Sequence, residues 1–460
     1  MMMKKLFTIL FIVINTTCNA QFGEQQIITT EANGARAVYA IDIDGDGDID
    51  VLSASFVDDK IAWYKNLDGQ GNFSEQLIIT TSVDSPKSVF AEDLDGDGDM
   101  DVITTSFNNG SPDVFWIENL DGQGTFDVEK IISDDANGAI AVHAADMDGD
   151  GDIDVLSAST DDNKIAWYEN TDGLGSFGAQ QIITTNALNA RTVYTADIDG
   201  DGDMDVISAS TTGDTVIWFK NDGLGNFGVE QIIANNINAV SSVFAEDIDG
   251  DGDFDVLSAS GGDNKISWFE NSNGLGEFGA EQIISTLTAG AHSVHAADLD
   301  NDGDMDVLSA SAIDYRIAWY ENINGLGDFG PQQVLANSLT VTQPRDVFAA
   351  DLDGDGDIDV LSASQNDYKI AWYENLTILG FEDNNLKNFV LYPNPTSTIL
   401  NINTNNIEII KIEIYDVLGK KVWAKTGNTT QLDVSNLDSG LYLVNIQTEQ
   451  GVVVKKVVKE

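Results

Sequence analysis

Five aspartates alternate with other residues in the nine-residue stretch "DIDGDGDID", which begins at Asp42. Carboxylates as close as Asp42, Asp44, Asp46, Asp48 and Asp50 repel one another by roughly 0.5–1 kcal/mol per neighbouring pair even in water, so the stretch calls for a compensating positive charge. Alternating oxygen donors with a glycine at position six, here Gly47, are the pattern that wraps a chain around calcium. The pattern recurs every 50 to 53 residues. It supplies Asp93, Asp95, Asp97, Asp99 and Asp101, then Asp146, Asp148, Asp150, Asp152 and Asp154, then Asp197, Asp199, Asp201, Asp203 and Asp205. Three further copies supply Asp247, Asp249, Asp251, Asp253 and Asp255, then Asp298, Asp300, Asp302, Asp304 and Asp306, and finally Asp351, Asp353, Asp355, Asp357 and Asp359. The sixth copy has Asn301 for glycine at position four, where asparagine tolerates left-handed backbone.

Self-similarity at this period marks a propeller, solenoid or array built from one supersecondary unit. In the second unit "SVFAEDL" alternates as a short strand, the Asp loop follows, and "DVITTS" resumes as a second strand. A third strand, "DVFWIEN", and a fourth, "DVEKIIS", flank the turn sequence "NLDGQGTF". One tryptophan per unit (Trp63, Trp116, Trp167, Trp218, Trp268, Trp319, Trp372) recurs in register on the third strand, as a core residue between sheets does. Seven four-stranded antiparallel sheets with no helical segments between them predict an all-β chain with a seven-bladed β-propeller, and an open solenoid is the alternative. The array opens with a fourth-strand sequence, "FGEQQIITT" from Phe22, and its seventh unit stops after a third strand, "KIAWYEN". Residues 22–30 are therefore expected to complete blade seven of a propeller spanning residues 21–380.

The loops share the first part of an EF-hand loop. At position twelve, where that motif has a bidentate Glu, they hold Ser53, Thr104, Ser157, Ser208, Ser258, Ser309 and Ser362, and strands flank them. With the Phe-Gly pairs at Phe22, Phe177, Phe227, Phe278 and Phe329, the array instead resembles integrin-type FG-GAP propellers and the related VCBS repeats over residues 22–380. That resemblance implies mainly structural calcium, about seven ions, one per loop. It implies side-chain oxygens from the first, third, fifth and ninth Asp of each loop and the backbone carbonyl of the seventh. In blade one these are Asp42, Asp44, Asp46, Asp50 and the carbonyl of Asp48. It also implies adhesion or the recognition of a glycan or protein.

With 77 Asp plus Glu against 22 Lys plus Arg, the formal net charge of −55 argues against nucleic acid or anionic membrane as partners held by charge attraction. The opening "MMMKKLFTILFIVINTTCNAQ" sets Lys4 and Lys5 before a short apolar core and ends in small polar residues at Ala20, which predicts a signal peptide over residues 1–20. The core is half the length of about 20 residues that a membrane anchor needs. Lipid attachment at Cys18 is the other alternative, and the preceding "NTT" matches a lipobox poorly. Cleavage after Ala20 removes Cys18, the only cysteine, leaving no thiol and no disulfide. After a linker at 381–387, residues 388–460 alternate as a small β-sandwich. Tyr392-Pro393-Asn394-Pro395, Ile414-Tyr415-Asp416 leading to Gly419-Lys420, Ser439-Gly440-Leu441-Tyr442 and Lys455-Lys456 make this segment resemble type IX secretion sorting domains. The resemblance implies the type IX machinery as a partner, and a secreted or outer-surface protein of a Gram-negative bacterium.

A single active site on a sevenfold ring must break the repeat, and few residues do. His143 and His295 take the strand position of Tyr39, Phe90, Tyr194, Phe244 and Phe348 and are expected to replace core aromatics. Glu92 and Glu246 belong to blades two and five, too far apart for a glycosidase-like carboxylate pair. A non-catalytic binding module is expected, with a passive scaffold or a propeller-based lyase or dehydratase as alternatives. Between residues 21 and 380 the chain has twelve Lys or Arg. Arg36, Lys87, Arg191 and Arg345 sit six residues before the first Asp of their loops, the place His292 takes in blade six, and Lys60, Lys164, Lys265, Arg316 and Lys369 open third strands. Connections into first and third strands emerge opposite the Asp loops, so these ten residues are expected to rim a channel mouth suited to carboxylated or sulfated glycans or an acidic partner. The competing expectation pairs the cations with nearby acids such as Asp59, Asp162 and Asp263.

Overall fold

Each repeat folds as its apolar spacing dictates. In blade one the innermost strand, Ala35–Ile41, alternates between buried and half-buried residues, with one face on the core and the other toward the ring axis. Asp50–Ser55 and Lys60–Tyr64 follow as near-continuous buried runs, because sheets cover both of their faces, and Leu77–Thr80 forms the outer edge. The computed structural model describes residues 21–108, 113–376, 390–404, 407–416, 420–437, 440–448 and 451–459. The signal peptide expected at 1–20 with its Cys18, the linker expected at 381–387, and Gly419 and Ser439 lie outside them.

Six blades are continuous in sequence. The seventh joins Pro344–Ala350, Asp359–Ser364 and Lys369–Tyr373 to Gln26–Thr29, which pairs antiparallel with the third strand and sets Gln26 opposite Trp372. Phe22 bridges Asn375 and meets the Trp319 ring edge-on at 6.1 Å. Around the axis the innermost strands present Tyr39, Phe90, His143, Tyr194, Phe244, His295 and Phe348, each ring 4.3–5.0 Å from the next. Tyr39 touches Phe348, so this collar of aromatic rings is closed.

Two contacts recur between a blade and its predecessor, the first of them at six of the seven joints among the described residues. The Trp116 indole lies where a Cβ on Gly175 of blade three would approach to 2.2 Å, so only glycine fits there, and its φ of +74° independently favours glycine. The tryptophans are at most 5% exposed, and a buried side chain of this size contributes on the order of 1.5–3 kcal/mol. The second contact is the asparagine after each third strand. Asn119 donates its side-chain amide to the Ile43 carbonyl of blade one at 2.9 Å, and Asn66 donates to Leu352 of blade seven at 2.8 Å.

The chain divides into two units, Met1–Thr377 and Ile378–Glu460. In the second, Val390–Tyr392, Ile399–Asn403 and Gln431–Asp433 make one sheet, and Lys421–Thr426, Ile409–Asp416, Gly440–Thr448 and Gly451–Lys459 make another. Leu400, Ile412, Leu432, Val444 and Ile446 are buried in its core. Among the described residues no helix is long and apolar enough to cross a membrane.

Candidate functional site

The Asp loops are folded by their own carboxylates. Asp42 accepts from the amides of Asp46 at 3.2 Å and Gly47 at 2.8 Å. At position nine Asp50 is fully buried and accepts from the amides of Ile43 and Asn66, at 3.2 and 2.7 Å. Asp359 makes the same two bonds in blade seven. Burial pushes the position-nine carboxyl up to about 7 at Asp50, Asp101, Asp154, Asp205 and Asp255, and to about 8 at Asp306 and Asp359. An anion there needs a positive neighbour.

One oxygen each of Asp42, Asp44 and Asp50 lies within 4.8 Å of the others, as do oxygens of positions one, three and nine in blades two to four. In blade five the trio is Asp247, Asp249 and Asp251. The Oδ1 atoms of Asp44, Asp95 and Asp199 and both carboxylate oxygens of Asp357 are buried without a hydrogen-bond partner. An all-carboxylate set with orphaned oxygens fits a hard cation of the calcium type and no soft metal. In blades one to six the seventh Asp turns its side chain toward a turn glycine, with Asp48 Oδ1 lying 2.3 Å from where a Cβ on Gly69 would be, whereas Asp357 of blade seven is buried against Asp355. Asn301 has a φ of +61°, close to the +68° of Gly45 at the same loop position.

The structure divides the ten residues of the expected basic face. Arg36, Lys87, Arg191, His292 and Arg345 converge with Ile140 and Ser241, their counterparts in the remaining blades, on a channel-mouth cavity of about 130 Å³. Among the described residues none of the three arginines, nor Lys87, has a carboxylate in ion-pair range. Burial and the Arg36, Arg191 and Arg345 guanidiniums hold the Lys87 ammonium down to about 7, and its Nζ lies 3.6 Å from the Phe56 ring centroid. Arg36 is lowered by burial, then by Arg191 and Arg345, and the Asp346 carboxyl opposes this in part. Asp346, the acid in the lining, accepts from Ser293 Oγ at 2.8 Å and the Val38 amide at 3.1 Å. His292 is no cation here. Its Nδ1 donates to the Arg345 carbonyl at 2.7 Å, which leaves Nε2 as acceptor for Arg191 Nη2 at 3.3 Å, and burial holds the ring well below the usual histidine range.

The other five cations pair locally instead of lining the mouth. Lys60 meets Asp58 at 2.9 Å, Lys164 meets Asp162 at 3.0 Å, Lys265 meets Glu281 at 3.0 Å, Arg316 meets Asp314 at 3.4 Å and Lys369 meets Asp367 at 3.3 Å. Asp59, named above as a partner, accepts the Ser85 amide.

The FG-GAP-like repeat model matches residues 42–104, 93–157, 146–208, 197–258 and 247–309, together more than half of the chain. The chain belongs to the FG-GAP-like repeat family. Its second unit matches the secretion system C-terminal sorting domain over residues 390–460, which marks the FG-GAP-like protein for type IX export to the cell surface or extracellular space. A curated relative, an ulvan lyase of Nonlabens ulvanivorans, is 28% identical over 83 residues, 17% of this chain. The chain spans only 16% of that relative's length. A solved structure of BBS1N in complex with ARL6DN has a TM-score of 0.54 at 8% identity, covering 77% of this chain and 97% of the other. Another, of an Agrocybe aegerita lectin recognising non-reducing terminal N-acetylglucosamine, has a TM-score of 0.49 at 19% identity over 70% of this chain and 92% of the lectin.

Within the FG-GAP-like propeller His143 and His295 sit in the aromatic collar, and burial pushes both down to about 4, so they are neutral. Glu92 and Glu246 end innermost strands of separate sheets. Sequence reasoning passed over the asparagines at 66, 119, 170, 221, 271, 322 and 375, whose recurrence directly before the turn was the available signal. It also passed over Lys65 and Lys220, which stand where the other blades have Glu.

Proposed function

We propose that this FG-GAP-like protein is an exported, calcium-braced binding module that takes a carboxylate or sulfate group of an extracellular glycan at the channel mouth. The convergence of Arg36, Lys87, Arg191 and Arg345 on a cavity with the single acid Asp346 in its lining, in a chain of net charge −55, supports it. Four cations gathered in a partly buried cavity repel one another, and a bound anion relieves the repulsion. A volume of about 130 Å³ is below the roughly 300–1,000 Å³ of small-molecule sites, so the cavity takes one charged substituent of a larger molecule. Arginine forks suit planar carboxylate and sulfate oxygens. Calcium, held by positions one, three, five and nine of the loops and the carbonyl of position seven, braces the opposite face. Arg36 and Asp42 are about 20 Å apart along an extended strand, so calcium does not bridge to the ligand.

The test is a glycan array in calcium buffer. Carboxylated or sulfated glycans are expected to bind, and R36A/R191A/R345A to lose at least tenfold in affinity without a lower melting temperature. Silence toward every anionic glycan overturns the proposal in favour of a scaffold or a protein adhesin. The likeness to an ulvan lyase favours a second reading, a polysaccharide lyase in which the same arginines neutralise the acid group of the sugar. Ultraviolet-absorbing unsaturated products from a bound glycan would select it.

A further inference from the structure

The residue between each third strand and its asparagine lies beside the Asp loop of the same blade, and where it is Glu118, Glu169, Glu270 or Glu374 its carboxylate accepts from a side chain of the fourth strand. In five blades it is a carboxylate, at Glu118, Glu169, Glu270, Glu321 and Glu374. Each of these adds negative charge beside the third loop position and helps raise the carboxyl there, for example at Asp95 and Asp353. In blades one and four the residue is Lys65 or Lys220. The Lys65 ammonium sits against Asp44 Oδ2 and 2.9 Å from Asp46 Oδ2. The Lys220 ammonium sits against Asp199 Oδ2 and 2.7 Å from Asp201 Oδ2. These are the third and fifth loop positions, two of the side chains a calcium ion needs.

We propose that Lys65 and Lys220 are built-in counter-ions, so that five loops of the propeller bind calcium tightly and the loops of blades one and four hold an ammonium in its place. This rests on the calcium reading above. Calcium binds carboxylate oxygens at about 2.3–2.6 Å and its affinity follows the ligand charge. An ammonium on the same oxygens occupies that space, and exchanging Glu for Lys moves the local charge by two units toward positive. Both lysines are partly exposed, so their pairing reflects attraction to the loop more than steric confinement. Glutamate at these two places only restores what five sibling blades already accommodate.

The experiment is equilibrium dialysis of the full chain against radioactive calcium over rising concentrations. Five ions are expected in the tight phase for the natural chain and seven for K65E/K220E. Seven equivalent ions in the natural chain, or an unchanged five in the variant, overturns the inference while leaving calcium binding intact. No bound calcium in either protein overturns both. Hydrogen exchange of the natural chain supplies a second measurement. On chelation the loops 42–50 and 197–205 should keep their protection while 93–101 and 247–255 lose it, and equal loss in all four overturns the assignment.

Discussion

The side-chain amide of Asn66 reaches across the joint between the first and last blades to the Leu352 carbonyl at 2.8 Å, while its backbone amide bonds Asp50 of its own blade at 2.7 Å. Asn221 repeats the arrangement, with Met147 and Asp205 at 2.7 Å each. Every Asp loop is thereby tied to the loop of the preceding blade. Asn66→Ala strands a buried carbonyl and should cost about 1–3 kcal/mol, seen as a lower urea midpoint. A midpoint equal to that of the natural chain would show that the joint contributes nothing.

Chelation should lower the melting temperature by many degrees, since an ion bound only by the folded state stabilises it by mass action. Sites of extracellular modules have dissociation constants of roughly 0.1–1 mM, so millimolar calcium should restore the transition. Scanning fluorimetry with and without chelator decides it, and superimposed curves would remove calcium as the brace.

The metal-free protein should grow more stable on acidification from pH 7 to pH 5. The position-nine carboxyls have folded values of about 7 to 8, above the ordinary aspartate value of 3.8, so the folded state binds more protons in this window and stability falls as pH rises through it. His143 and His295, held down to about 4, and His292, held well below the ordinary histidine range, act in the opposite direction, but they are three groups against seven. Melting curves in chelator should therefore shift upward at pH 5, and a downward shift counts against this account.

Two glycine substitutions separate packing from backbone strain. Gly202 has a φ of +97° with open space at its Cβ, so Gly202→Ala carries backbone strain alone, on the order of 1–3 kcal/mol. Gly276 has a φ of +75° and would set its Cβ 2.1 Å from the Trp218 ring. Gly276→Ala should lose clearly more stability than Gly202→Ala by urea denaturation. Equal losses would mean that the indole moves aside freely.

Repetition made the blades readable from the chain: seven Asp loops and seven tryptophans in register carry the strand order of the propeller. The same repetition showed which cations shared a strand position, but not which of them had an acid at hand. Lys60 and Arg36 both lie at strand starts, yet the turn before Lys60 brings Asp58 to its ammonium, whereas the narrow axis brings Arg36 to other cations. That difference arises from side-chain direction in three dimensions, which spacing does not encode. Lys65 and Lys220 escaped notice because a lysine beside acidic loops looks like an ordinary solvated charge.

The strand Gln26–Thr29, "QIIT", has the same sequence as Gln181–Thr184, and both pair with an Ile-Ala-Trp third strand. Until the third strand of blade seven exists, the first-made segment has no partner of its own, and several hundred residues separate the two. A neighbouring molecule with an open seventh blade offers that strand an identical berth. Closure within one chain therefore wins only through effective concentration, and crowding many unfinished chains together favours exchange of this strand between protomers. Dilution during refolding is the condition under which the ring keeps its own end.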